Sequence, residues 1–75
     1  MESEITGKLY SNDEITIIGL EKNIIIAIFK ESDIVYTLDL DTIEDFRFFK
    51  FISKKFNIDP IDRATIVYKS CFLYD

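Results

Sequence analysis

Three clusters of turn-type residues divide the first half of the chain: Ser11-Asn12-Asp13, Glu21-Lys22-Asn23 and Glu31-Ser32-Asp33. Between them lie short runs rich in β-branched and aromatic residues, at the regular spacing of a meander. The pattern predicts strands near 5–10, 15–20, 24–29 and 34–40. The fourth has the clearest period of two, with Ile34, Tyr36, Leu38 and Leu40 alternating with Val35, Thr37 and Asp39. The third is an unbroken apolar run, Ile24 to Phe29, so both of its faces need cover.

After Leu40 the period lengthens to that of a helix. Asp41 is placed as a cap, and Glu44 three residues on completes a capping box. Asp41, Glu44 and Asp45 at the start and Lys50, Lys54 and Lys55 near the end complement the helix dipole. A step of about 100° per residue gathers Phe46, Phe48, Phe49, Ile52 and Phe56 on one side and Arg47, Lys50 and Lys54 on the other. Phe51 falls among the cations, within a turn of Arg47, Lys54 and Lys55. Asp59-Pro60 ends the helical pattern, because a residue before proline avoids helical geometry. A last strand is expected near 64–74, through Ile66, Val67, Tyr68, Phe72 and Leu73.

The expected architecture is therefore α+β: a mostly antiparallel five-stranded sheet in the order β-β-β-β-α-β, with one helix packed across one face. A helix with one apolar side shelters one sheet face. If Ile24, Ile26 and Ile28 turn toward it, Ile25, Ala27 and Phe29 face away, beside Ile18, Leu20 and Val35. That second face must be closed by the sheet curling into a small barrel or be used for association.

Composition narrows the class. The chain has 75 residues, 48% of them hydrophobic, enough for one small core and a single domain over 1–75. The longest apolar run is far short of the roughly 20 residues that span a bilayer. The acidic start, Met1 to Ile5, does not resemble a signal peptide. A lone cysteine, Cys71, cannot form an internal disulfide, which suits a reducing, cytoplasmic compartment. Net charge is −5, unevenly spread: residues 1–45 hold eleven acids and three bases, and residues 46–75 three acids and six bases. The acidic part repels phosphate backbones, so direct nucleic-acid binding is not expected.

Catalytic chemistry is hard to assemble. There is no histidine, the commonest general base, and no usual ligand set for zinc. Asp39-Leu40-Asp41-Thr42 superficially resembles the aspartate pair of phosphoryl-transfer enzymes, but Ile43 stands where those need a hydroxyl, and Asp41 is better explained as a cap. Asp59 and Asp62 suit a turn before a strand. Gly7 and Gly19, isolated inside strand patterns, suit a bulge or close backbone approach. Cys71, with no evident activating base, reads as a small core residue. No enzymatic activity, cofactor or metal is expected.

From Ile24 onward the chain resembles a ubiquitin-like domain of the β-grasp type. The likeness is carried by the hairpin Ile24–Leu40, by Thr42-Ile43-Glu44 at the helix start, and by Pro60, Asp62, Ile66-Val67-Tyr68 and Leu73-Tyr74-Asp75 in that order. The chain stops where that family continues to its last central strand, and it lacks the paired terminal glycines needed for conjugation. The resemblance implies a non-catalytic recognition module. It places Val67 at the family's exposed apolar contact position, with Lys69 beside it on the same face.

Two functional expectations follow. The first is a small acidic protein-interaction domain acting as adaptor, subunit or self-associating module, with a homodimer among the options. Its candidate contact residues are Phe51, Arg47, Lys54, Lys55, Val67 and Lys69. The second is a small acidic inhibitor, of the anti-defence type carried by phages and viruses. It would block the basic nucleic-acid-binding surface of a target protein by charge mimicry, through Asp13, Glu14, Glu31, Asp33, Asp39, Asp41, Glu44 and Asp45. In either case the partner is another protein, and neither a membrane nor a nucleic acid is engaged directly.

Overall fold

The computed structural model describes residues 7–73. Among the described residues four strands form: β1 (Lys8–Ser11), β2 (Ile15–Glu21), β3 (Ile24–Phe29) and β4 (Ile34–Asp39); the last three match the predicted runs, and the start of the first, at residues 5 and 6, lies outside the described residues. They pair antiparallel in chain order, β1-β2-β3-β4, as an open meander. Helix α1 (Ile43–Lys55) follows, and then a second helix, α2 (Pro60–Ser70).

The second helix replaces the expected fifth strand. Its start is a standard helix signal: Asp59 is the N-cap, its side chain accepting from the Asp62 N–H at 2.8 Å, and Pro60 sits in the first turn. Ile66 and Ser70, one turn apart, are buried. The β-branched run Thr65-Ile66-Val67 thus yields to capping and to burial of one helical stripe. Among the described residues the order is β-β-β-β-α-α, and because β1 and β4 are the two edges there, their sheet does not close into a barrel.

A Schellman turn separates the helices. Asn57, at φ 64°, follows the Phe56 cap, and the Ile58 N–H donates to the Ser53 carbonyl at 2.8 Å. Ile58 is buried by this turn, which is how the four residues from Phe56 to Asp59 suffice to bring α2 back over the sheet.

The core is Ile15, Ile17, Ile25, Ala27 and Leu38 from the sheet against Phe49, Ile52, Ile58 and Ile66. Phe46, Phe48 and Phe56 pack around it, as the helical period predicts. The parity of β3 is the reverse of the one set out above: Ile25, Ala27 and Phe29 face the helices, and Ile24, Ile26 and Ile28 face away. The register explains it, since Ala27 lies opposite Ile17 and Ile25 opposite Leu38, all fully or nearly buried. The outer face carries half-buried Ile18, Ile24, Ile26 and Ile28 and exposed Val35. Among the described residues, both helices pack on the other side.

Two asparagines tie the layers together. Asn12 accepts from the Glu14 and Ile15 N–H groups through Oδ1 and donates through Nδ2 to the Phe56 carbonyl, joining the β1–β2 turn to the end of α1. Asn23, at φ 64°, donates its N–H to the Ser70 carbonyl and accepts from the Leu40 N–H, joining the β2–β3 turn to the end of α2. The register slips between Gly19 and Glu21, a bulge at the glycine expected to permit one. A Cβ on Gly19 would lie 2.3 Å from Leu73 Cδ1.

Candidate protein-interaction surface

A row of aromatic rings runs from beneath α1 to the outside of the molecule. Phe56 stacks on Phe29 at 5.0 Å, Phe29 meets Tyr36 at 5.4 Å, Tyr36 meets Phe48 edge-on at 5.0 Å, and Phe48 stacks with Phe51 at 6.2 Å. The inner rings are half-buried, whereas Tyr36 is 41% exposed and Phe51 60%. The row therefore ends in open aromatic surface beside β4, one of the two edge strands.

That edge has unused main-chain groups. The Leu40 N–H donates inward to Asn23, so alternation turns the N–H and C=O groups of Ile34, Tyr36 and Leu38 toward β3. Those of Val35, Thr37 and Asp39 point outward. Asp39 is closed off: its N–H donates to Asp45 Oδ2 at 2.8 Å, and its carbonyl accepts from the Thr42 N–H and hydroxyl, each at 3.0 Å. Among the described residues, Val35 and Thr37 have no such partner. Natural edges are blunted by charge, proline or short length. Ile34 to Leu38 contains neither a charged residue nor a proline.

The Thr42 arrangement corrects the helix start. Thr42, not Asp41, is the N-cap, accepting from the Asp45 N–H at 3.3 Å. Asp45 occupies the position from which a capping box reaches back, but its carboxylate goes to the strand instead. Asp41 accepts from Asn23 Nδ2.

Above the aromatic row lies a basic groove, lined by Arg47, Lys50, Phe51, Lys54, Ile58, Pro60 and Arg63. Lys50 lies 5.8 Å from the Phe46 ring centre. Among the described residues, no carboxylate pairs with Arg47, Lys54 or Arg63. Lys55 lies on the flank toward Phe56, 5.9 Å from its ring centre.

Of the contact residues predicted from the sequence, Phe51, Arg47 and Lys54 come together at this groove, with Lys55 on the adjoining flank. Val67 and Lys69 are on α2 rather than a strand; Val67 packs toward the core, and Lys69 is exposed near the helix end. The acids divide between the two ends of the sheet. Asp13 and Glu14 in the β1–β2 turn and Glu31 and Asp33 in the β3–β4 turn lie at one end; Asp39, Asp41, Glu44 and Asp45 cluster at the other. Three of the second group, Asp39, Asp41 and Asp45, spend oxygens on hydrogen bonds within the fold. Cys71 is the α2 C-cap, half-buried and free, not a strand residue.

The sequence reasoning placed Val35 on the uncovered sheet face but missed Tyr36 and Thr37 as surface elements of the edge, and also Phe48, Lys50 and Arg63. The absence of charge between Ile34 and Leu38 was the available signal. Among the described residues there is no group of three or more metal-ligating side chains, and no helix is long and apolar enough to cross a membrane. Compared with known protein families, characterised proteins and solved structures, the chain has no match in any of the three.

Proposed function

We propose that this protein is a non-enzymatic protein-interaction module that joins its partner along the β4 edge and the adjoining flank of α1. The observation that carries the reading is the coincidence of open main-chain groups at Val35 and Thr37 with the exposed end of the aromatic row at Tyr36 and Phe51. An added strand would draw affinity from main-chain bonds, and neighbouring rings would supply the apolar anchor. The cations above Phe51 form a rim that favours an acidic partner surface.

The test is a pair of variants compared in co-purification from the native source. Thr37→Pro removes one outward N–H, and proline is tolerated at an edge where that group faces solvent. Phe51→Ala removes the anchor. Both are expected to fold by circular dichroism and to lose the partners the unaltered chain retains. Folded variants that retain the same partners would refute the reading.

The charge-mimicry alternative is less favoured by the geometry, because its acidic residues divide between opposite ends of the sheet instead of forming one phosphate-like row.

A further inference from the structure

Resting on that reading, we infer that the strand added to β4 is β4 of a second copy, and that the chain forms a two-fold dimer with a continuous sheet. Symmetric self-pairing requires a surface complementary to itself. Two elements of this edge meet that requirement independently.

The first is the strand. Outward main-chain groups remain at Val35 and Thr37, evenly disposed about Tyr36, while Asp45 and Thr42 close the next outward position, Asp39. A two-fold axis through Tyr36 sets Val35 of one copy opposite Thr37 of the other, and the reverse, as hydrogen-bonded antiparallel pairs. The local capping prevents the pairing from extending through Asp39, and at the other end the Asp33 N–H is spent on the Phe29 carbonyl at 2.8 Å, so the pairing is centred on Tyr36. The two Tyr36 rings then meet on the helix side of the sheet.

The second is α1, which lies over β4 with Phe48 against Tyr36. A two-fold axis normal to the sheet brings the two α1 helices side by side and antiparallel. Their facing stripe is Glu44, Phe48, Phe51 and Lys55, spaced four, three and four residues apart. That spacing is symmetric about its centre. Antiparallel pairing places Phe48 opposite Phe51 of the second copy and Glu44 opposite its Lys55, so apolar meets apolar and acid meets base at both ends. Glu44, Phe51 and Lys55 are exposed and available for this. The contact of Tyr36 with Phe48 sets the strand dyad at Tyr36 close to the helix dyad between Phe48 and Phe51, as a single two-fold axis requires.

The dimer leaves the groove between Arg47, Lys54 and Arg63 open on each copy, so the assembly would present it twice.

The experiment is sedimentation equilibrium of the full chain from about 1 µM to about 500 µM, a range in which a modest interface shifts from dissociated to associated. The unaltered chain is expected to move toward twice its 8.8 kDa mass. Glu44→Lys and Lys55→Glu each set like charges across the axis and should weaken dimerisation at least tenfold. The double variant, with the pair reversed, should restore it. Thr37→Pro should abolish it. A monomer at every concentration overturns the second-copy inference while leaving the co-purification test of the edge itself to stand or fall separately. A dimer indifferent to the three single changes also overturns it, since association must then use another surface. Because Glu44 and Lys55 are exposed and recovery of the dimer in the double variant cannot come from misfolding, the charge variants keep the test decisive even if Thr37→Pro fails to fold.

Discussion

Asp45 on the first turn of α1 accepts a hydrogen bond from the main-chain N–H of Asp39 at 2.8 Å, so a helix carboxylate caps the end of an edge strand. The contact fastens α1 to β4 and sets how far the edge remains open. A hydrogen bond to an ionised acceptor contributes about 1.5–3 kcal/mol when well shielded, and less at a partly exposed site. Asp45→Ala should therefore cost about 1–2 kcal/mol in urea denaturation. Asp45→Asn, which keeps an acceptor oxygen, should recover roughly half of that. Equal stability of all three proteins would show that the cap contributes nothing.

Gly19 and Leu73 form a second such pair. A Cβ on Gly19 would fall 2.3 Å from Leu73 Cδ1 and 3.4 Å from Leu9 Cδ1. The clash is with the end of a leucine side chain, which can turn away at the expense of its packing. Gly19→Ala should therefore lose about 1–2 kcal/mol, as overpacking does. Combined with Leu73→Ala it should lose less than the sum of the single changes, by about 0.5–1 kcal/mol. Strict additivity in the double-mutant cycle would place the penalty elsewhere, in the strand backbone.

Much of this fold was legible because its signals were redundant. The meander had three turn clusters and four apolar runs, and α1 had a run of phenylalanines at helical spacing. β3 was ambiguous for a physical reason: six apolar residues in succession carry no parity, and only the burial of Ile15 and Ile17 on β2 decides that Ile25 faces inward. α2 was missed because Ile66-Val67-Tyr68 has strand propensity, whereas Asp59, Pro60 and Asp62 carry the helix start in their capping chemistry. At the candidate surface, Phe51 could be placed from the helical period alone. The open edge could not, because which main-chain groups of β4 point outward depends on its hydrogen-bond register with β3.

Asn57 provides a test of the turn that creates α2. Its φ of 64° lies in the left-handed region, where asparagine is tolerated and a Cβ-bearing aliphatic residue costs about 1–2 kcal/mol. Asn57→Ala should accordingly lower the melting temperature by about 4–8 °C per kcal/mol lost, as expected for a domain of this size. Asn57→Gly should match or exceed the unaltered protein, since glycine is the preferred residue after a helix cap. If alanine and glycine behave alike, the Schellman geometry is not holding the turn.

Phe49 and Phe51 sit two residues apart on α1 and should behave in opposite ways. Phe49 is fully buried at the centre of the core, and Phe51 is 60% exposed. Phe49→Ala should cost about 3–5 kcal/mol, a large share of the roughly 4–11 kcal/mol that a 75-residue domain commands. That loss belongs to the single chain and should already be present in the most dilute solution. Phe51→Ala should change the stability of the isolated chain by no more than about 0.5 kcal/mol, as surface substitutions do. If Phe51 contributes through association, its effect must grow with concentration, because a dimer is stabilised by mass action and a monomer is not. Melting curves of the unaltered and Phe51→Ala proteins should therefore coincide in dilute solution and separate as both are concentrated, the unaltered protein rising. Curves that stay together throughout would remove Phe51 from any self-association, and a gap already present at the lowest concentration would assign it to the fold of the single chain.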